Sequence, residues 1–186
     1  NGQDHQGQLS MEKVIKAAWA GVTANDRFIC IQTYSGYRAS QMDDKGALHY
    51  LDSKADSHEL GVALLDAIEK SRFVASTIRR DVWMHPEVGV DAEFYDYNST
   101  LRRYEEWVQA TMSLYGYKTR KALFKGLHSC NAKCQNGVIN IQPMKKDKGE
   151  SWSCPSSTPD ISVNIALNAQ VEEVGAALRL ALSRCT

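Results

Sequence analysis

No stretch of this chain reaches the roughly 18 consecutive apolar residues of a membrane-spanning helix. Proline is scarce, at four residues, and glycine numbers 12, so collagen-like and low-complexity architectures are excluded. There is no charge surplus. Lysine plus arginine number 22 and aspartate plus glutamate 22, whereas a general nucleic-acid binder carries a basic excess. The five cysteines, Cys30, Cys130, Cys134, Cys154 and Cys185, are an odd number and cannot all pair. Asn1 to Ser10 is polar, with no apolar core of a signal peptide. The cysteines therefore read as reduced thiols of a cytoplasmic protein. Residues 1–10 read as a polar N-terminal extension, Met11 as a candidate initiator, and residues 11–186 as a single domain. The chain also lacks a Gly-x-Gly-x-x-Gly fingerprint, a Walker loop and a Gly-x-Ser-x-Gly elbow.

What is present is an ordinary globular composition, 43% hydrophobic and 24% charged. Arg27 to Tyr34 is rich in β-branched and aromatic residues and stops at Ser35-Gly36, as a buried strand does. A weaker strand precedes it near Ala18 to Thr23, and a third follows at Ala47 to Leu51. Leu60, Leu64, Ala67 and Ile68 recur at helical spacing. Asp56 or Ser57 is placed to cap that helix, and Glu59 completes a capping box three residues after Asp56. The helix is expected to end near Phe73. Val74 to Asp96 reads as irregular, with one short helical turn from Thr77 to Trp83. A second long helix, capped by Asn98 or Ser99 and closed by Gly116, presents Leu101, Tyr104, Val108 and Tyr115, with Trp107 alongside. Thr119 starts a short helix through Phe124. Asn136-Gly137, between two strand-like segments, is the strongest hairpin signal, because this pair tolerates positive φ at both turn positions. A strand at Val138 to Gln142 follows it. Ser151 to Pro159 reads as a loop, and Ile161 to Ile165 as a half-buried strand. Asn168 is the expected cap of a last helix, whose stripe is Val171, Val174, Leu178, Ala181, Leu182 and Cys185. Strands, helices, strands and a helix in that order indicate an α+β fold, a single domain with a mainly antiparallel sheet packed by amphipathic helices.

Two constellations invite chemistry. His128-x-Cys130-x3-Cys134, with Cys154 as a fourth ligand, has metal-binding residue types, but it lacks the tight Cys-x2-Cys knuckle. The competing reading is a helix-to-strand connection with incidental thiols, and no metal or other cofactor is expected. The basic run Lys118, Arg120, Lys121, Lys125, continued by Lys145, Lys146 and Lys148, could contact phosphate beside Tyr115 and Tyr117. With His128 or His85 it supports an RNA-binding or RNA-processing alternative, although nothing pairs these residues by spacing. A solvated helix face explains the run with fewer assumptions.

The wording of several segments resembles one bacterial family. Tyr115-Gly116-Tyr117-Lys118-Thr119-Arg120-Lys121-Ala122-Leu123-Phe124-Lys125 and the closing Val174-Gly175-Ala176-Ala177-Leu178-Arg179-Leu180-Ala181-Leu182-Ser183-Arg184-Cys185 resemble the immunity proteins of contact-dependent growth inhibition, the CdiI family. Gly36-Tyr37-Arg38, Glu59-Leu60-Gly61, Leu65 to Arg72, Tyr104, Trp107, Cys130, Ile141, Pro143, Trp152 and Asp160 fall in family order between them. The likeness runs from about Lys16 to Cys185. Most matching residues read as scaffold: Gly175 and its alanines allow close helix packing, and Leu178 and Leu182 fill core. Two departures stand out. The segment between Arg72 and Tyr104 is longer and more aromatic, and Met144 to Lys148 lacks the histidine that family members often carry near Lys146.

The resemblance implies a protein without catalysis of its own. It would bind the C-terminal toxin domain of a cognate CdiA effector one to one and block it, that toxin often being a nuclease. No membrane and no direct nucleic-acid contact would be involved. Residues 41–110 carry 14 acids and 8 bases, while residues 111–186 carry 5 acids and 10 bases, and an acidic stretch can steer a basic partner. Two surfaces are therefore expected to meet the toxin. One is acidic: Asp43, Asp44, Asp52, Asp56 and Glu59. The other is the insert: Trp83, Met84, His85, Glu87, Asp91 and Glu93, with Trp83 as an aromatic anchor.

Overall fold

β1 (Ala18–Ala24) and β2 (Phe28–Gly36) form the central hairpin. The side-chain oxygen of Asn25 fastens their turn by accepting from the amides of Arg27 and Phe28 at 2.9 and 3.1 Å. The computed structural model describes residues 13–156 and 160–186. The expected extension at 1–10, Met11, and the end of the Ser151–Pro159 loop lie outside them. Every residue of β2 except the half-buried Tyr34 is buried, which explains its near-continuous apolar run.

Among the described residues the main sheet runs β11-β8-β7-β1-β2-β3, with β4 also pairing β2, and every pairing is antiparallel. β3 is Ser40–Met42, β4 Leu48–Asp52, β7 His128–Gln135, β8 Val138–Pro143 and β11 Val163–Ala166. The β7–β8 turn has Asn136 at φ 50° and Gly137 at φ 73°, as its sequence requires. The stretch His128–Cys134 is thus not a connection. It is an interior strand between β1 and β8, and its hydrophobicity is hidden because only one face is buried.

α1 (Ser57–Glu69) and α4 (Val171–Ser183) cover one face of this sheet. Asp56 and Glu59 form the expected capping box, and α1 ends at Glu69 rather than near Phe73. Gln170, not Asn168, precedes α4, and Glu173 accepts from the Gln170 amide at 3.2 Å. Leu60, Leu64, Val174 and Leu178 lock the two helices onto Val22, Ile29, Ile31, Ile139 and Ile141. Each fully buried leucine contributes about 1.5–3 kcal/mol relative to exposure.

α2 (Tyr97–Tyr115) lies over the other face, at the β2 side, with α3 (Arg120–Phe124) beside it. Its cap is Asp96, which accepts from the Ser99 amide at 3.0 Å, rather than Asn98 or Ser99. Gly116 closes it at φ 71°, and Thr119 caps α3, both as expected. The buried stripe of α2 is Arg103, Trp107, Val108 and Thr111, while Leu101 is 45% exposed at its edge. Two polar residues in that stripe blurred the hydropathy pattern.

The segment 76–88 contains no helical turn. Instead β5 (Val74–Ala75) pairs in parallel with β6 (Gly89–Val90). β9 (Lys145–Lys146) pairs with β10 (Trp152–Ser153), inside the stretch expected to be loop.

Candidate functional site

The five expected acidic residues do not form one face. The Asp43 amide donates to the Thr33 carbonyl near the end of β2, whereas Asp52 pairs with Phe28 at its start. Five residue steps along the strand separate these points by about 17 Å. Asp43 is also unavailable for contact, at 3% exposure. Its carboxylate accepts from Arg72 Nε at 2.7 Å, from the Ser35 hydroxyl at 2.6 Å and from the Lys45 amide at 3.0 Å. Burial pushes this carboxyl up, but the hydrogen bonds and the Arg72 charge outweigh it and hold Asp43 below the usual carboxylate range. Asp44 is half-exposed and lies 3.9 Å from Arg102 on α2. Asp52 is exposed and accepts from the Lys54 amide. Asp56 and Glu59 are exposed but mutually engaged in the cap of α1.

The insert is anchored by the same arginine. Arg72 Nη1 reaches Asp91 at 2.6 Å, and Lys45 lies 3.6 Å from it. The hydrogen bond from Arg72 holds Asp91 down at about 2. Arg72 thus ties the turn after β3 to the insert, with Asp43 buried in this bridge and Asp91 at its partly exposed end. Met84 packs toward Trp19, Tyr37 and Phe73. The His85 amide donates to the Tyr37 hydroxyl at 3.0 Å, and its ring meets Phe73 edge-on at 5.2 Å. Glu87 pairs with Lys16, Glu93 is exposed, and Trp83 is 41% exposed. Of the six insert residues expected to meet the toxin, Trp83, Glu87 and Glu93 are the most exposed.

Two of the seven residues of the basic run are engaged, and the other five are exposed. Arg120 pairs with Glu105 and Glu150, each at 2.6 Å. Lys146 Nζ donates to the Phe124 carbonyl and sits over the Trp152 ring at 4.5 Å. His128 and Lys125 share the rim of an open cavity of about 510 Å³, without a carboxylate hydrogen-bonded to the histidine among the described residues. Cys130 and Cys134 point to the α4 side of β7, and Cys130 Sγ lies 3.4 Å from Cys185 Sγ. Cys154 is exposed elsewhere. Among the described residues no three His, Cys, Asp or Glu side chains are grouped to hold a metal ion, and no helix is long and apolar enough to cross a membrane.

One concave site was not foreseen. Because α2 covers only the β2 side of its face, a cleft of about 370 Å³ remains between α2 and the central strands. Thr23, Gln32 and Tyr34 form its floor, and Trp107, Tyr104 and Trp152 stand along it. Gly21 makes room for the floor: a Cβ there would lie 2.4 Å from the Tyr34 ring. Beyond the cleft, the same face of β7 and β8 carries Asn131, Lys133, Asn140 and Gln142, a polar surface with no helix over it among the described residues. Sequence reading missed this site because its polar floor comes from strands that look simply buried. The available signal was the spacing Arg103, Trp107, Thr111, which places three groups with hydrogen-bonding atoms on one helix face.

Comparison with known proteins adds an independent line. The family model described as CDI immunity protein matches residues 18–185. A curated relative, the immunity protein CdiI-YPIII of Yersinia pseudotuberculosis serotype O:3 (strain YPIII), is 43% identical over 175 residues, covering 94% of this chain and 99% of the relative. A chain of the CdiA-CT/CdiI toxin and immunity complex from Yersinia pseudotuberculosis superposes with a TM-score of 0.91 at 42% identity, over 94% of this chain and 100% of that one. A protein of unknown function from Neisseria meningitidis, NMB0488, matches with a TM-score of 0.78 at 36% identity, over 94% and 98%.

Proposed function

Because this chain belongs to the CDI immunity protein family, we propose that it binds the C-terminal toxin domain of a cognate CdiA effector one to one and neutralises it by blockade in the cytoplasm. The observation that carries this reading is likeness across the whole fold to a chain of a toxin and immunity complex. Blockade asks for no catalytic group and no cofactor. It asks for slow dissociation, and nanomolar affinity corresponds to about −12 kcal/mol. A standard interface would bury about 1,600 Å² in total. The toxin is read as a nuclease, whose basic nucleic-acid groove would be drawn to the acids of residues 41–110. The solvent-facing members of the expected contact set, Asp44, Asp52, Asp56, Glu59, Trp83, Glu87 and Glu93, are the ones carried into this proposal.

The test is to co-express this chain with the toxin domain encoded directly upstream, tag one partner, and titrate the purified pair by calorimetry. A tight one-to-one complex that silences the toxin is expected. Two folded partners that fail to associate at micromolar concentration would remove the reading.

A further inference from the structure

Arg103 is a buried cation whose partners are all uncharged. It is 5% exposed. Its Nε donates to the Met42 carbonyl at 3.2 Å, and its Nη2 donates to the Phe94 carbonyl at 2.7 Å and the Thr100 hydroxyl at 3.3 Å. The guanidinium also lies 4.6 Å from the Phe94 ring centroid. Carbonyl dipoles and a π face hold it, and these bonds leave Nη1 unused. Burying such a charge without a counter-ion is costly, so the position is unexplained by stability alone. By contrast, the neighbouring Arg72 has two carboxylates.

Arg103 lines the cleft beside α2, and so does a second unexplained group. Thr23, 9% exposed, carries a hydroxyl whose one polar neighbour is the Cys30 thiol, a weak partner that leaves most of its hydrogen-bonding capacity unmet. Gln32, 6% exposed, adds an amide to the same floor. Buried polar atoms are normally satisfied. A poorly satisfied hydroxyl and an uncompensated guanidinium in one aromatic-walled cleft describe half of a recognition site. The volume of about 370 Å³ lies in the range of ligand pockets. It suits one or two side chains of a partner.

We propose that this cleft receives a loop of the toxin that places a carboxylate against Arg103 and a neighbouring apolar side chain among Tyr104, Trp107 and Trp152. The inference rests on the toxin-binding reading and deepens it. The contact is charge-assisted, and a pre-organised guanidinium favours the planar geometry of a carboxylate. Its position in a concave, aromatic-lined centre is where binding energy concentrates. The approach also puts partner backbone over the uncovered polar face of β7 and β8, where Asn131 and Lys133 can complete the rim.

Arg103 itself fastens α2 to Met42 and Phe94, so its removal risks the fold. Leu101 does not carry that risk, because it stands at the cleft at 45% exposure. Leu101→Glu and Leu101→Lys remove the same apolar group and introduce opposite charges. The measurement is the dissociation constant of each variant for the cognate toxin domain, with circular dichroism to verify folding. Leu101→Glu is expected to weaken binding at least about tenfold more than Leu101→Lys, since like charges placed together across an interface are strongly unfavourable. Thr23→Val, which removes that hydroxyl at constant shape, is expected to weaken binding while leaving thermal stability equal or higher. Equal affinities for all three variants and the parent overturn the cleft proposal while toxin binding stands. Weaker binding by Leu101→Lys than by Leu101→Glu overturns the carboxylate assignment. No complex from the parent protein overturns both readings.

Discussion

Gly175→Ala separates two opposed effects. In a solvent-exposed helix interior this change is stabilising by about 1 kcal/mol, because alanine has the better helix propensity. At position 175 the added Cβ would lie 1.7 Å from the Ser57 carbonyl oxygen and 2.6 Å from its carbon. These are backbone atoms of the first turn of α1, which the Asp56–Glu59 capping box holds in place, so they cannot swing aside as a side-chain tip can. The two helices must move apart. That movement weakens the contacts of Leu60 and Leu64 with Val174 and Leu178. Overpacking costs typically about 1–3 kcal/mol, and the lost helix contacts add to it. A net destabilisation of about 2 kcal/mol is expected. With a urea dependence of about 2 kcal/mol per molar, the midpoint falls by about 1 M. Gly61→Ala is the reciprocal case, because its Cβ would lie 2.0 Å from the Val171 carbonyl oxygen. Both substitutions widen one crossing, so the double variant should lose less than the sum. Urea unfolding followed by far-ultraviolet circular dichroism measures all three. A midpoint that rises for Gly175→Ala would refute the close-crossing argument.

The remaining predictions concern charge, thiols and partner binding. Arg72→Met leaves Asp43 buried without its cation, a loss of about 3–5 kcal/mol, and Asp43→Asn in that background should restore part of it in the same unfolding assay. Asp43 and Asp91 are held below their ordinary value of 3.8, Asp91 at about 2. Their depressed values stabilise the fold above about pH 4 and the contribution disappears as pH falls toward 2. Asp91→Asn should therefore flatten stability against pH across that window. A brief exposure of the native protein to iodoacetamide should modify the exposed Cys154 and spare Cys30, whose thiol burial pushes up to about 12. Peptide mass spectrometry reads this directly, and early labelling of Cys30 would contradict the packing of β2 under α2. Asp44→Lys with Asp52→Lys should slow association with the toxin and reduce its salt dependence. Trp83→Ala should instead speed dissociation if the insert carries an anchor, and stopped-flow kinetics distinguish the two.

Local events are settled by residues close together along the chain. The capping box at Asp56 and Glu59, the Asn136-Gly137 turn, the Gly116 stop and the Thr119 cap each depend on residues only a few positions apart, and each was legible. The α+β class and the family likeness were legible too, the first from element order and the second from ordered segments spread along the chain. Legibility failed where polar residues are buried by tertiary partners. Arg103 and Thr111 belong to the buried stripe of α2, but hydropathy assigns them to the surface. His128 to Gln135 buries only Cys130, Ala132 and Cys134 on its inner face, residues so small and weakly apolar that an interior strand resembled a connection. Asp43 reads as an ordinary surface acid until Arg72, 29 residues away, is placed against it. The cleft beside α2 follows from no single segment. It exists because a 19-residue helix covers part of a wider sheet, and Gly21, Thr23, Gln32 and Arg103 become neighbours only when β1, β2 and α2 have packed. Capping and turn formation are short-range hydrogen-bonding problems that a few residues solve. Counter-charge, desolvation and concavity arise only when distant segments pack against one another.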